Sequence, residues 1–233
     1  MMAQGWHDLL FAHWSLDPAA LRLLVPPQLE LDLFEGRAWV GVVPFRMQDI
    51  RPRGLPALPW ISAFAELNVR TYVKSRDPSD PKPGVCFFSL EAANPLAVRI
   101  ARRFFLLPYF DASMSLIEHE NTIHYQSKRT HRGAPQADFV GSYAPTGAVA
   151  PAIKGTLDHW LTERYCLYTV DGQGRVYRSE IHHQPWPLQP AAADLAVNSV
   201  TGAAGFRLPD ERPICHFARR LDVLIWPLRR LRS

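Results

Sequence analysis

Phe64-Ala-Glu-Leu-Asn-Val-Arg-Thr-Tyr-Val73 is the stretch whose reading decides the fold. Side chains of a strand point alternately to opposite faces. One face therefore carries Phe64, Glu66, Asn68, Arg70 and Tyr72, and the other Ala65, Leu67, Val69, Thr71 and Val73. The aliphatic face is what a core requires. The other aligns a carboxylate, an amide, a guanidinium and a phenol in a row, with about 13 Å of strand between Glu66 and Arg70. Solvent faces more often carry Lys, Thr, Ser or Gln, so the row reads as the lining of a cavity.

Outward from that strand the chain is punctuated by short elements. Asp17 is a candidate N-cap with Pro18 at the first helical position, and Leu21, Leu24 and Val25 fall on one side of the short helix before Pro26-Pro27. Residues 29–34 and 37–47, joined at Glu35-Gly36, read as a hairpin. A Pro-rich connection over 54–59 leads into the strand at 62–74, and the loop 77–84 joins that strand to another at 85–90. Residues 94–105 form the clearest helix: Asn94 caps it, Pro95 opens it, Leu96, Ile100 and Phe104 form an apolar stripe with Ala97 and Ala101 offset, and Arg99, Arg102 and Arg103 lie opposite. Strands follow near 114–120, 122–129, 139–142, 164–170 and 175–182, the last two joined by the hairpin turn Asp171-Gly-Gln-Gly174. Residues 191–196 are expected to be a short helix and 213–226 a strand. Many short strands with few helices predict an α+β protein, mainly antiparallel β, closed into a barrel or folded into a sandwich. Neither repeats nor an interdomain linker are evident, so a single domain over 1–233 is expected.

Composition excludes several function classes. The 233 residues are 47% hydrophobic and 21% charged, with a net charge of +4, and no apolar run is long enough to span a membrane. The N-terminus lacks the basic and apolar regions of a signal peptide, so a cytoplasmic location is expected. Cys86, Cys166 and Cys215 are too few and too scattered for a disulfide framework or a zinc site. The basic pairs are mostly arginine and form no nucleic-acid-binding motif. Phosphate-loop, nucleophile-elbow, zinc-protease and calcium-loop motifs are all missing. His182 and His183 are neighbours on a strand and point apart, so neither metal nor cofactor is expected. Glu163 and Arg164, read as strand residues, also point apart, so only one of them can share a lumen with Glu66.

Phe11-Ala-His-Trp14, Leu21 to Asp32, Ala38 to Phe45, Glu66 to Val73, Phe87 to Glu91, Leu107-Pro-Tyr109, Leu161 to Tyr165 and His216 to Trp226 follow one another in an order that resembles the YqjF-like family of uncharacterised bacterial proteins. That family is more distantly similar to the acetoacetate decarboxylase superfamily. The resemblance implies an acetoacetate-decarboxylase-like closed or nearly closed barrel with a few peripheral helices and a ligand cavity inside, and it sets Glu66 at a position like that enzyme's active-site glutamate. It also aligns Pro108-Tyr109-Phe110 with the stretch that bears the Schiff-base lysine there. No amine stands at that place; the nearest lysines are Lys82 and Lys128. Decarboxylation through an imine needs such an amine. Lys128 or Lys154 would have to reach the cavity from elsewhere in the chain.

The resulting expectation is a small carboxylate- or carbonyl-bearing ligand held in a barrel cavity, turned over by lyase- or hydrolase-type chemistry other than a Schiff-base decarboxylation. Glu66 and Arg70 are the candidate catalytic groups, the first as acid or base and the second as anion holder. Asn68, Tyr72, Tyr109 and His13 supply polar contacts, and Phe45, Phe88 and Trp14 apolar walls. The alternatives are a non-catalytic binding or sensing module with a buried Glu66–Arg70 ion pair, and an interaction module using the Arg-rich surface. Neither nucleic acid nor membrane is an expected partner, and self-association is left open.

Overall fold

The computed structural model describes residues 1–57 and 62–231. The chain runs β1 (Met2–Leu16), α1 (Pro18–Arg22), β2 (Leu29–Leu31), β3 (Ala38–Pro52), β4 (Phe64–Ser75), β5 (Pro83–Ala92), α2 (Pro95–Phe104), β6 (Tyr109–His119), β7 (Thr122–Arg129), β8 (Asp138–Pro145), α3 (Leu157–Thr162), β9 (Cys166–Val170), β10 (Val176–His183), β11 (Gln189–Asn198), α4 (Val200–Ala203), β12 (Ile214–Ile225) and β13 (Arg229–Arg230). Asp17 and Asn94 cap α1 and α2 as their side chains predict, Asp17 Oδ1 accepting from the Ala19 N–H at 2.8 Å and Asn94 Oδ1 from Leu96 and Ala97.

Pairing runs β5–β6–β7–β8–β11–β12–β1–β3–β4 and closes through β4–β5, giving a mixed barrel of nine strands. A further pairing of β12 with β10 closes a second ring of seven strands: β12, β1, β3, β4, β5, β9 and β10. All pairings are antiparallel except β5 with β6 and β5 with β9. Five strands, β12, β1, β3, β4 and β5, are thus shared by both rings. Their two faces serve different interiors. On β1, Leu10, Ala12, Trp14 and Leu16 join one core, while Leu9 and Phe11 join the other. On β4, Leu67, Val69 and Val73 face the nine-strand core together with Tyr125, Phe139 and Phe217. The period of two read from Phe64 to Val73 is therefore the period of the fold.

Four local expectations give way to tertiary context. Leu29–Leu31 pairs with β4, and only the bridge Phe34–Arg37 remains of the expected hairpin with β3. Residues 191–196 belong to β11, because their backbone is claimed by β8, while Gln189 and Pro190 just before them pair with β12. The approach is close: a Cβ at Gly141 would meet Leu195 Cδ2 at 2.9 Å and the Asp194 carbonyl at 3.0 Å. Small alanines suit that proximity, and pairing overrides their helix propensity. On α2 the packed residues are Ala97, Val98 and Ala101, whereas Leu96, Ile100 and Phe104 stay 42–67% exposed. Arg102 explains the rotation, since its Nη1 donates to the Tyr109 carbonyl at 2.7 Å and draws that side of the helix inward. Finally, Glu163 and Arg164 lie in the turn between α3 and β9, not on a strand. Among the described residues no helix is long and apolar enough to cross a membrane.

Candidate functional site

The face of β4 that carries Glu66, Asn68 and Arg70 looks into the seven-strand ring, where the side chains do not fill the space. A cavity of about 340 Å³ remains, and each of the seven strands contributes to its wall. Cross-strand rows show why. His13, Gly41, Arg70 and Phe87 lie side by side on β1, β3, β4 and β5, and Gly41 adds no side chain to that row. A Cβ there would stand 3.1 Å from His13 Cδ2 and 3.5 Å from Arg70 Nε, so the glycine makes room for the guanidinium. Two rows further along, Glu66 lies between Phe45 and the small Ala92. The mouth lies where α2 and the segment after β3 meet, with Pro52, Pro56 and Ile100 exposed on its rim. At the other end α3 closes the ring, its Trp160 ring 4.7 Å from that of Tyr72.

Glu66 is 3% exposed. Its Oε2 accepts from the Tyr109 hydroxyl at 2.8 Å, and its main-chain carbonyl accepts from the Tyr125 hydroxyl at 2.7 Å. Burial raises the carboxyl to about 8, against the opposing pull of the Tyr109 hydrogen bond. At neutral pH it is a protonated acid with a proton on the oxygen that Tyr109 does not occupy. Burial, reinforced by Glu66, pushes the Tyr109 phenol well above its usual range, so it stays a donor.

Arg70 is buried, yet no carboxylate of the described residues forms an ion pair with it. Its Cζ lies 5.1 Å from the Phe11 ring centroid and 5.9 Å from that of Tyr72, beside the Tyr72 hydroxyl. Nε and Nη2 have no acceptor, and Asn68 Oδ1 is likewise without a partner. The ion pair expected between Glu66 and Arg70 on the non-catalytic reading is not formed, as the four-residue strand spacing of about 13 Å explains.

The remaining candidates divide into those on the cavity wall and those behind it. Phe45 and Tyr109 line the cavity. His13 and Tyr72 do not; they seal its closed end. The Tyr72 hydroxyl donates to the Leu161 carbonyl at 2.9 Å and lies 2.7 Å from His13 Nε2, which must then carry the ring proton. Burial, with Arg70 and His216 adding to it, holds His13 well below its usual range and therefore neutral. Phe88 is displaced by the register shift between Val69 and Arg70 against β5: Phe87 takes the wall position and Phe88 packs on Phe206, ring centroids 5.2 Å apart, in the nine-strand core. Trp14 also belongs to that core.

Of the pair left open by the sequence, Arg164 lines the cavity, while Glu163 accepts from the Trp186 N–H at 2.9 Å and from the Tyr165 hydroxyl. Trp186 and His183, which the sequence did not propose as site residues, are wall residues as well: His183 ends β10, and Trp186 lies in the strandless segment after it, where no period could have marked it. None of the four lysines lines the cavity, and Lys128 and Lys154 are exposed. Among the described residues no cluster of potential metal ligands occurs.

Solved structures share this architecture at low identity, which speaks for the fold alone. An acetoacetate decarboxylase from Legionella pneumophila superposes with a TM-score of 0.63 at 14% identity, covering 100% of this chain and 88% of that one. The enduracididine biosynthesis enzyme MppR, complexed with the condensation product of pyruvate and imidazole 4-carboxaldehyde, gives 0.64 at 12% identity, covering 99% and 89%. In sequence, the uncharacterised protein YqjF of Bacillus subtilis (strain 168) is 48% identical over 230 residues, covering 99% of this chain and 92% of that protein. The family model described as an uncharacterised conserved protein, DUF2071, matches residues 3–222, and the chain belongs to that family.

Proposed function

We propose that the seven-strand cavity binds a small organic carboxylate or carbonyl compound, with Arg70 holding its anionic group and Glu66 acting on it as a protonated acid. The observation that carries this reading is a buried guanidinium without a counter-ion on the wall of an otherwise largely apolar hollow. A buried charge is costly unless it is paired, and an anionic ligand supplies what the chain does not. Arginine's fork suits a carboxylate. Glu66, kept neutral by burial and oriented by Tyr109, is the group with a proton to give near neutral pH. Asn68 adds an amide to the same wall.

The reaction class follows from what lines the cavity. Among the described residues its wall contains no lysine, serine or cysteine, and the hydroxyl of its Thr162 is spent on the Asp158 carbonyl at 2.7 Å. That weighs against an imine or an acyl-enzyme and in favour of acid–base chemistry of the lyase or hydrolase type. The pyruvate adduct held by MppR, a protein of the same fold, lends support to a carbonyl-bearing ligand. The same wall also fits a binding or sensing module in which nothing turns over.

Glu66→Gln and Arg70→Met separate these readings. In calorimetric titrations with pyruvate and acetoacetate, Arg70→Met is expected to lose about tenfold or more in affinity, the worth of one charge-assisted contact. Glu66→Gln is expected to keep binding and to lose any turnover. Borohydride treatment with either keto acid is expected to leave no lysine adduct. Binding untouched by both substitutions refutes the cavity assignment, and a trapped adduct refutes the chemistry.

A further inference from the structure

The closed end of the cavity holds a second guanidinium. Arg164 Cζ lies 4.9 Å from the Tyr72 ring centroid and Arg70 Cζ 5.9 Å from the same ring, so the two arginines meet at one aromatic side chain. Both line the cavity. Arg164 is held firmly: Nε donates to the Trp160 carbonyl at 2.7 Å, Nη1 pairs with Asp32 Oδ2 at 2.6 Å, and the guanidinium lies 4.2 Å from the Trp160 ring centroid. Its Nη2, like Nε and Nη2 of Arg70, has no acceptor. The Trp186 Nε1–H, on the same wall, has none either.

We infer that Arg164 is the second arm of the anion subsite, and that the ligand is a monocarboxylic acid whose apolar chain runs from that subsite towards the mouth. This deepens the reading of Arg70 given above and rests on it. The charge count selects a monoanion: Asp32 already balances one of the two guanidinium groups, leaving one positive charge to be met. The walls select the chain. Between Arg70 and the rim the wall is mostly apolar, formed by Val43, Phe45 and Leu90 and then by Phe64 and Ile100, with Asn68, Glu66 and Tyr109 as its polar groups near β4. A ligand with hydroxyls all along its length would leave those turned away from Asn68, Glu66 and Tyr109 without partners, at a cost of about 1–3 kcal/mol each. Along this axis Glu66 and Tyr109 stand beyond the arginines, so they address a carbon of the chain rather than the carboxylate.

Octanoate, acetate and octanol are suitable probes for calorimetric titration of the purified protein. Octanoate is expected to bind about tenfold or more tightly than either of the others. The paired substitution Asp32→Asn with Arg164→Gln removes both charges together, so no unpaired carboxylate remains. It is expected to weaken octanoate about tenfold while leaving octanol within a factor of about two. Should that pair fail to fold, Arg164→Lys keeps the charge opposite Asp32 and removes the fork, with a loss of several-fold expected. Unchanged octanoate affinity in the Arg164 variants, with a loss in Arg70→Met, overturns the inference and leaves Arg70 as the sole anion holder. Octanoate no tighter than octanol overturns the anion subsite itself. Acetate binding as tightly as octanoate overturns the apolar chain.

Discussion

Glu91 and Glu66 sit on the neighbouring strands β5 and β4, and both carboxyls are buried, at 0% and 3% exposure. Glu91 faces the nine-strand core. Its Oε1 accepts from Arg129 Nε at 3.1 Å and also from Nη2, while Ser89 donates to Oε2 at 3.3 Å. Glu66 faces the cavity, with one phenol as its side-chain partner, and the nearby Arg70 carries no carboxylate at all. The same five shared strands thus bound one interior in which Glu91 and Arg129 answer each other and another in which Arg70 is left for something else. Packed cores close their own electrostatics because an unmet charge costs several kcal/mol. A cavity that keeps an unmet cation carries a cost that only binding can offset.

The difference can be broken most sharply by removing the two arginines in turn. Arg129→Met leaves Glu91 buried and alone and is expected to cost about 3 kcal/mol or more in a denaturant titration. Arg70→Met removes a charge that has no internal partner, and is expected to leave stability unchanged or raise it. Equal losses for the two would erase the distinction drawn here. A smaller contrast concerns packing. Leu67→Ala opens a new void in the filled core and is expected to cost about 3 kcal/mol, whereas Leu90→Ala only widens a hollow that already exists and is expected to cost about half as much. The same melts report it.

The mildest test uses pH. Glu66 has its carboxyl raised from 4.5 to about 8 in the folded protein, so the folded state keeps a proton that the unfolded state has released. Its contribution is fully present below 4.5, declines as pH rises and is gone above about 8. Glu66→Gln cannot lose that proton. The melting temperature of the variant is therefore expected to gain on that of the parent protein between pH 5 and 8 and to run parallel above that window. Parallel curves throughout would mean that the carboxyl is already ionised and that its role as an acid is wrong.

Much of this was legible in one strand. The alternation from Phe64 to Val73 assigned Leu67 and Val69 to one interior and Glu66, Asn68 and Arg70 to another, because strand geometry turns a period of two directly into two faces. Phe88 escaped that logic: a one-residue register shift swaps which of Phe87 and Phe88 meets the wall, and nothing local announces it. Arg164 escaped for a different reason. It sits in a turn, where neither period applies, and it reaches the cavity because α3 folds across the end of the ring. Residues 191–196 were misread since alanine favours helices until a neighbouring strand, here β8, claims the backbone.

By itself the sequence determined the mainly antiparallel fold, the capped helices at 18–22 and 95–104, the polar row on one face of β4 and the missing amine at Tyr109. The first three follow from spacing and side-chain chemistry along the chain, the last from what the family resemblance implies for Pro108-Tyr109-Phe110. Only the tertiary structure decided what that row looks onto. Closure depends on β12 meeting β10 and β4 meeting β5, and on Gly41 and Ala92 standing beside Arg70 and Glu66. Whether a space between strands is filled or hollow is a sum over side chains brought together from seven separate strands, and no local pattern carries that sum.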